Sequence, residues 1–196
     1  MPNAKPQVIE LPAIRIETAE FILIGDSPLI VHAWSEKAKR QMLDKQMKKA
    51  GKTKEAKDPQ EDYEACFYRT DDGEYGFPAI GVKAAMVSSC RFLDMKMTEA
   101  RGAFHIDCEM LRVFGDPRMR EDMVRVGMGT ADIRYRPEFV EWHMPVLVKY
   151  NAGAVSAEQL ANLLNVAGFG VGIGEWRPEK NGQYGRFHVA TSGEFK

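Results

Sequence analysis

Between residues 168 and 185 the chain carries six glycines. Gly168, Gly170, Gly172 and Gly174 fall at every second position, and Gly182 and Gly185 come just before the apolar run Phe187 to Ala190. Glycine loses more backbone freedom on folding than any other residue, so such a cluster is kept where the backbone turns through positive φ or approaches another chain segment closely. Its neighbours restrict the fold further. Ser156, with Gln159 three residues on, reads as a capping box that opens the helix SAEQLANLLNVAG, and the run from Phe187 reads as a final strand. A helix before the glycines and a strand after them is the reverse of the dinucleotide-binding order, and no GxxxxGK[ST] phosphate loop is present.

The glycine-rich segment, 168–186, also holds Trp176, Arg177, Lys180, Tyr184 and Arg186. Rings that stack on bases, cations that meet phosphates, and glycine N–H groups at Gly170, Gly172 and Gly174 free to do the same are what a single strand of nucleic acid requires. A glycine-rich bulge or hairpin that only joins helix to strand has the same composition and is the competing reading. Bulk charge does not decide between them, because the formal net charge of the 196 residues is only -1. Its distribution is uneven. From Lys37 to Lys57 nine basic residues, Lys45, Lys48, Lys49 and Lys52 among them, face only Asp44 and Glu55, a net +7 that leaves -8 for the rest. The run can track a polyanion or be a solvated helix face. Helical from Ser35 to Gly51 and then polar without apolar periodicity, it makes 45–60 an expected mobile basic insertion in a single domain spanning 1–196.

Elsewhere the pattern predicts an α+β fold. Arg15 to Ile24 alternates as a first strand, and Leu29 to Val31 extends or re-enters the sheet. Glu64 to Arg69 and Tyr75 to Phe77 flank an Asp71-Asp72-Gly73 turn as a hairpin. Pro78 introduces a helix from Ala79 to Met95, with Lys83 and Arg91 off its core-facing side. Phe104 to Phe114 reads as a strand, Gly115 to Gly129 as a loop carrying Arg118, Arg120 and Arg125, and Ala131 to Tyr135 and Glu141 to Tyr150 as further strands. Pro145 marks a strand edge.

Cys66, Cys90 and Cys108, odd in number and without a CxxC pair, read as buried thiols rather than a disulfide framework or zinc ribbon. His32, His105, His143 and His188 lack HxxxH or HExxH spacing. No catalytic residue, metal or cofactor is expected. No stretch approaches the roughly 18 apolar residues of a membrane span, and Met1 to Pro12 lacks a signal-peptide core, so a cytoplasmic protein without a membrane partner is expected.

A first strand ending at GDSPL, a helix opening at FPAIGVKAAMVSSCR, and a terminal helix, glycine-rich loop and strand together resemble the RAMP superfamily, the RRM-related backbone proteins of CRISPR effector complexes. The resemblance implies a ferredoxin-like, RRM-like antiparallel sheet with helices on one face and insertions. It implies that the helix start at Pro78, Ala79, Gly81 and Lys83, together with the loop from Gly168 to Gly185, meets an RNA backbone. It further implies a homo-oligomer that forms a helical filament on single-stranded RNA or DNA. No segment matches the acidic cleavage loop of the RNA-cutting members, which favours a compact, non-catalytic, phage-like relative. A protein-interaction or assembly module and a small nuclease are the alternatives.

Overall fold

The computed structural model of the chain describes residues 13–47, 57–126 and 129–194. Its elements run β1 (Ile16–Gly25), β2 (Leu29–Ile30), α1 (Glu36–Gln46), α2 (Pro59–Glu64), β3 (Tyr68–Arg69), β4 (Tyr75–Pro78), α3 (Ala79–Ser89) and α4 (Met97–Ala103). Then come β5 (Phe104–His105), β6 (Met110–Arg112), β7 (Pro117–Val126), β8 (Thr130–Phe139), β9 (His143–Asn151), α5 (Ala157–Gly170) and β10 (Phe187–Val189).

Strand β9 sets the layering. Met144, Val146, Val148 and Tyr150 are buried while Leu147 and Lys149 face outward, the period-two pattern of a sheet with one covered face. β1 pairs antiparallel with β9 from Ile16↔Asn151 to Ile24↔His143, which puts Phe21 opposite Val146 and Leu23 opposite Met144 on the covered side. β10 pairs with the other edge of β1, and β5 with β9, giving the order β10-β1-β9-β5 with every pair antiparallel. Two split βαβ units, β1-α3-β5 and β9-α5-β10, each straddle one strand of the other. This is the ferredoxin-like topology. Helices α3 and α5 pack against each other over the covered face. The Ser156–Gln159 capping box opens α5 as the sequence predicts.

Two further sheets are inserted. β3-β4-β6 grows around the Asp71-Asp72-Gly73 turn, where Gly73 takes φ +85°. β2 leaves the main sheet and pairs with β8, which forms a ten-residue-a-side hairpin with β7. That hairpin overturns the loop expected from Gly115 to Gly129. Other boundaries shift as well. Glu64 ends α2 rather than starting a strand. Phe104 to Phe114 contains two short strands instead of one. The helix from Ala79 stops at Ser89, followed by a single 3₁₀ turn, Cys90–Phe92. Pro145 lies inside β9 opposite Ile22 of β1, on the stretch between the Phe114–His143 bridge and the β5 pairing at Lys149 and Tyr150. Cys66 and Cys90 are buried, with burial pushing the Cys66 thiol up to about 11, but Cys108 is exposed. No helix is long and apolar enough to cross a membrane among the described residues.

α5 runs two residues past the expected end, to Gly170, and Gly168 lies against β10, where a Cβ would overlap the Phe187 carbonyl oxygen. By contrast, a Cβ on Gly102 in α4 would meet nothing. Gly168→Ala is therefore expected to destabilise by about 1–3 kcal/mol and Gly102→Ala to stabilise by about 0.4–1 kcal/mol. Melting temperatures moving in opposite directions, roughly 2–12 °C down and roughly 1–4 °C up, check this.

β10 is further held by His188, whose Nδ1 lies 2.7 Å from an Asp26 carboxylate oxygen and whose Nε2 lies 3.2 Å from a Glu194 oxygen. Only the imidazolium can donate to both. Partial burial opposes that charge, but the two carboxylates outweigh it and raise the His188 pKa above its ordinary value. A raised folded pKa stabilises fully below the unfolded value near 6.5 and is lost as pH climbs through the folded value. The melting-temperature gap between wild type and His188→Gln should accordingly be widest below about pH 6.5 and narrow above it. A gap constant across that range contradicts the assignment.

Candidate functional site

The outer side of α3 and the loop after α5 form the two walls of a groove of about 260 Å³, closed at its base by Val31 and His32 just beyond β2. On the helix wall, Ile80, Gly81, Ala84 and Ser88 fall at helical spacing, so small side chains leave room and Ile80 stands 71% exposed. On the loop wall lie Gly172, Ile173, Gly174, Glu175, Arg177 and Glu179.

The loop is built as part of the core. Gly172 and Gly174 turn at φ +70° and +75°, so Val171 and Ile173 point inward and are buried. Ile173 N–H donates to Gly185 O at 2.9 Å, Glu175 N–H to Ile30 O at 2.9 Å, and Gly185 N–H to Pro28 O at 2.8 Å. Gly172 and Gly182 donate to Ala167 O and Arg177 O. The expectation that glycine N–H groups stand free for phosphates is thus corrected at Gly172, Gly182 and Gly185. Their donors are used by the chain itself, and Gly170 belongs to α5. Among the described residues Gly174 N–H has no backbone acceptor, so anion recognition at this loop is left to it and to side chains.

Those side chains divide into two groups. Arg91, from the 3₁₀ turn after α3, and Arg177, from the loop, meet at Glu179: Arg91 Nη2 donates to Oε1 at 2.8 Å, and Arg177 Nη2 and Nε donate to Oε2 at 3.0 and 3.2 Å. Partial burial pushes the Glu179 carboxyl up, but the two guanidiniums outweigh it and hold it below the usual range. Lys180 is exposed on the same turn. Lys83 does not line the groove; its Nζ donates to His105 Nδ1 at 3.1 Å, at the β5 edge of the sheet. Arg186 donates through Nε to Gln183 O at 3.3 Å.

Trp176 and Tyr184 form the second group, with ring centroids 6.1 Å apart. Arg120 lies over both rings, 4.9 Å from Tyr184 and 5.5 Å from Trp176, and Arg136 is 5.2 Å from Trp176. Trp176 adopts φ 53°, rare for a non-glycine residue, and is 38% exposed.

Among the described residues the basic run does not line the groove. Chain from His32 on the groove wall enters α1 at Glu36. Lys37 pairs with Glu61, Lys39 with Glu36, and Lys57 with Asp132, so these cations have acidic partners. Lys48, Lys49 and Lys52 lie outside the described residues, as do the side chain of Lys45 and most of the expected insertion. Lys45 itself belongs to α1, and Gln60 to α2.

Sequence reasoning missed a buried ion network behind Trp176. Arg136, 1% exposed, donates from Nη2 to Asp122 at 2.7 Å and from Nη1 to Glu175 at 3.2 Å. Arg120 donates to Asp122 at 2.9 Å and to Glu138 at 2.8 Å, and Arg118 reaches Glu138 at 2.6 Å. Alternate charges at Arg118, Arg120 and Asp122, matched by Arg136 and Glu138, were the available signal. They share one face of a strand pair. Burial opposes the charge of Arg120, yet Glu138 and Asp122 raise its pKa. Among the described residues no three His, Cys, Asp or Glu side chains are placed to share a metal ion.

Removing one partner of a buried pair leaves an uncompensated charge, so Asp122→Ala is expected to cost about 3–5 kcal/mol, read as a shift in urea midpoint. Exposed Asp116→Ala should stay within about 0.5 kcal/mol. Equal shifts for the two would contradict the network's role.

No protein-family model matches the chain, and no curated protein matches it in sequence. Among solved structures it is similar to Cmr6 from Pyrococcus furiosus, with 10% identity and a TM-score of 0.49 over 91% of this chain and 100% of that one. At that level the likeness adds nothing to the topology already read from the strand order.

Proposed function

We propose that the chain binds single-stranded nucleic acid, RNA or DNA, along the groove between α3 and the glycine-rich loop, without cleaving it, and that copies of it line up along the strand. One observation carries the reading. The helix start and the loop, some ninety residues apart and paired by the resemblance, are the two walls of one groove, and Arg91 and Arg177 converge on Glu179 in its lining. In this reading the chain is a compact relative of the RAMP backbone proteins it resembles. Trp176 or Tyr184, on the glycine-rich loop but outside the groove lining, offers the stacking surface, with Arg120 and Arg136 over the Trp176 ring. Arg91, Arg177, Lys180 and Arg186 meet phosphates. Lys83 and the basic run that includes Lys45, Lys48, Lys49 and Lys52 contribute beyond the groove.

A second reading has its own support. Ile80, Phe92 and Phe169 are 71%, 56% and 77% exposed, an apolar content that suits a protein-assembly surface.

Fluorescence anisotropy of labelled oligo-U and oligo-dT across a salt series separates the two. Nucleic-acid binding predicts an affinity that falls with salt. Trp176→Ala should weaken it roughly 5- to 150-fold while the fold survives, the range expected for one stacked base. Replacing Arg177 and Lys180 together should flatten the log–log salt slope by about 0.7 for each phosphate that is no longer neutralised. Absence of binding at low salt, combined with self-association abolished by Ile80→Asp, favours the assembly module. Electron micrographs with and without oligonucleotide test the filament.

A further inference from the structure

The Arg91–Glu179–Arg177 cluster has the form of an occupied anion site. Two guanidiniums from different elements, one after α3 and one in the loop, direct three N–H groups at the two oxygens of a single carboxylate. A phosphodiester carries the same single charge and presents two unesterified oxygens to the same fork geometry. Glu179 and Arg177 both line the groove, so the site opens onto the proposed strand path.

Glu179 is also placed to leave. It sits in a three-residue 3₁₀ turn, Pro178–Lys180, ended by Asn181 in the left-handed conformation. The turn is fixed by its backbone, with Glu179 N–H donating to Val171 O at 3.1 Å, so the carboxylate can rotate away without unpairing the main chain. Two cations sharing one anion leave a local charge of +1, and Lys180 beside them adds another. An incoming anion is therefore still attracted while the site is filled.

We infer that Arg91 and Arg177 form a phosphodiester-binding site that Glu179 fills in the unbound protein, so that a backbone phosphate binds by displacing the chain's own carboxylate. This rests on the nucleic-acid reading above. Glu179 lowers apparent affinity, as any competing unbound state does, and keeps isolated small anions out.

The test compares wild type with Glu179→Gln, which keeps shape and removes charge. Oligo-U affinity should rise about tenfold, while the log–log salt slope stays the same, because the same phosphate is neutralised in both proteins. In an Arg91→Ala, Arg177→Ala background the same change should have no effect. Because Glu179 also ties α3 to the loop, a second measurement is made on wild type itself: side-chain ¹⁵Nε–H resonances of Arg91 and Arg177 should shift on adding oligo-U. Inorganic phosphate at equal phosphate concentration should leave them unmoved in wild type and shift them in Glu179→Gln. Unchanged affinity in Glu179→Gln, or arginine signals that ignore a bound oligonucleotide, overturns the displacement while leaving nucleic-acid binding intact. Failure of both proteins to bind any oligonucleotide overturns the two together. Phosphate shifting the wild-type signals as strongly as oligo-U makes the site one for free phosphate and overturns it as a strand contact.

Discussion

The groove depends on how closely α5 approaches β10. Gly168 has no Cβ where one would strike the Phe187 carbonyl, so the helix lies directly on the last strand and its end is delivered against β2. From there the turns at Gly172, Gly174 and Gly185 are obligatory: each takes positive φ, and a side chain at Gly174 would overlap Ile30 O while one at Gly185 would overlap Ile173 O. The glycines are therefore packing residues first. A loop so placed presents to the groove a fixed backbone whose N–H groups are largely spent internally. Recognition is left to the few side chains projecting from it and to Gly174 N–H, which has no backbone acceptor among the described residues. Stiffness of this kind reduces the ordering penalty on binding and limits what the loop can adapt to.

A second constraint fixes the long hairpin. Burying Arg136, Asp122 and Glu138 gains little stability over an apolar core, because desolvation offsets most of the attraction. What the network supplies is registry. Arg136 ties β8 to Glu175 in the loop, and Arg120 spans β7 to β8 while lying over Tyr184 and Trp176. Hairpin, loop and rings are held as one body, with the left-handed Trp176 backbone fixed among them. Arg136 Nε has no hydrogen-bond acceptor, so even this network is not fully satisfied.

What the sequence revealed follows from which signals are local. The capping box at Ser156 is a three-residue device and could be read directly, as could the Asp71-Asp72-Gly73 turn. The pattern of elements gave an α+β fold and the resemblance implied the ferredoxin-like order, with which the β10-β1-β9-β5 pairing agrees. β7 was hidden because PRMREDMVRV places Arg120 and Asp122 inward. Arg118, Arg120 and Asp122 mimic a loop until their partners on β8 are known. Glu179 was invisible for a similar reason: nothing local marks a carboxylate that two arginines from distant segments will share. Lys83 was legible as a residue on α3 but not as a partner of His105, since the pairing crosses from helix to sheet edge.

The balance of charge bears on how such a groove would hold a strand. Its cations are few, and Glu179 neutralises one of the two arginines. A single chain then displaces only a few counterions. The salt-dependent part of its affinity, about 0.7 per phosphate in log–log slope, stays small, and stacking on one ring adds only roughly 1–3 kcal/mol. An isolated copy is accordingly a weak binder on the proposed reading. On the proposed reading, affinity grows when copies that touch one another engage one strand, since the contact raises the effective concentration of the next copy. The exposed Phe92 and Phe169, outside the groove lining, supply apolar surface through which neighbours can touch. On this argument the nucleic-acid and assembly readings are complementary: a nearly neutral chain whose groove is lined by one arginine and two glutamates holds a strand firmly only as a row of copies.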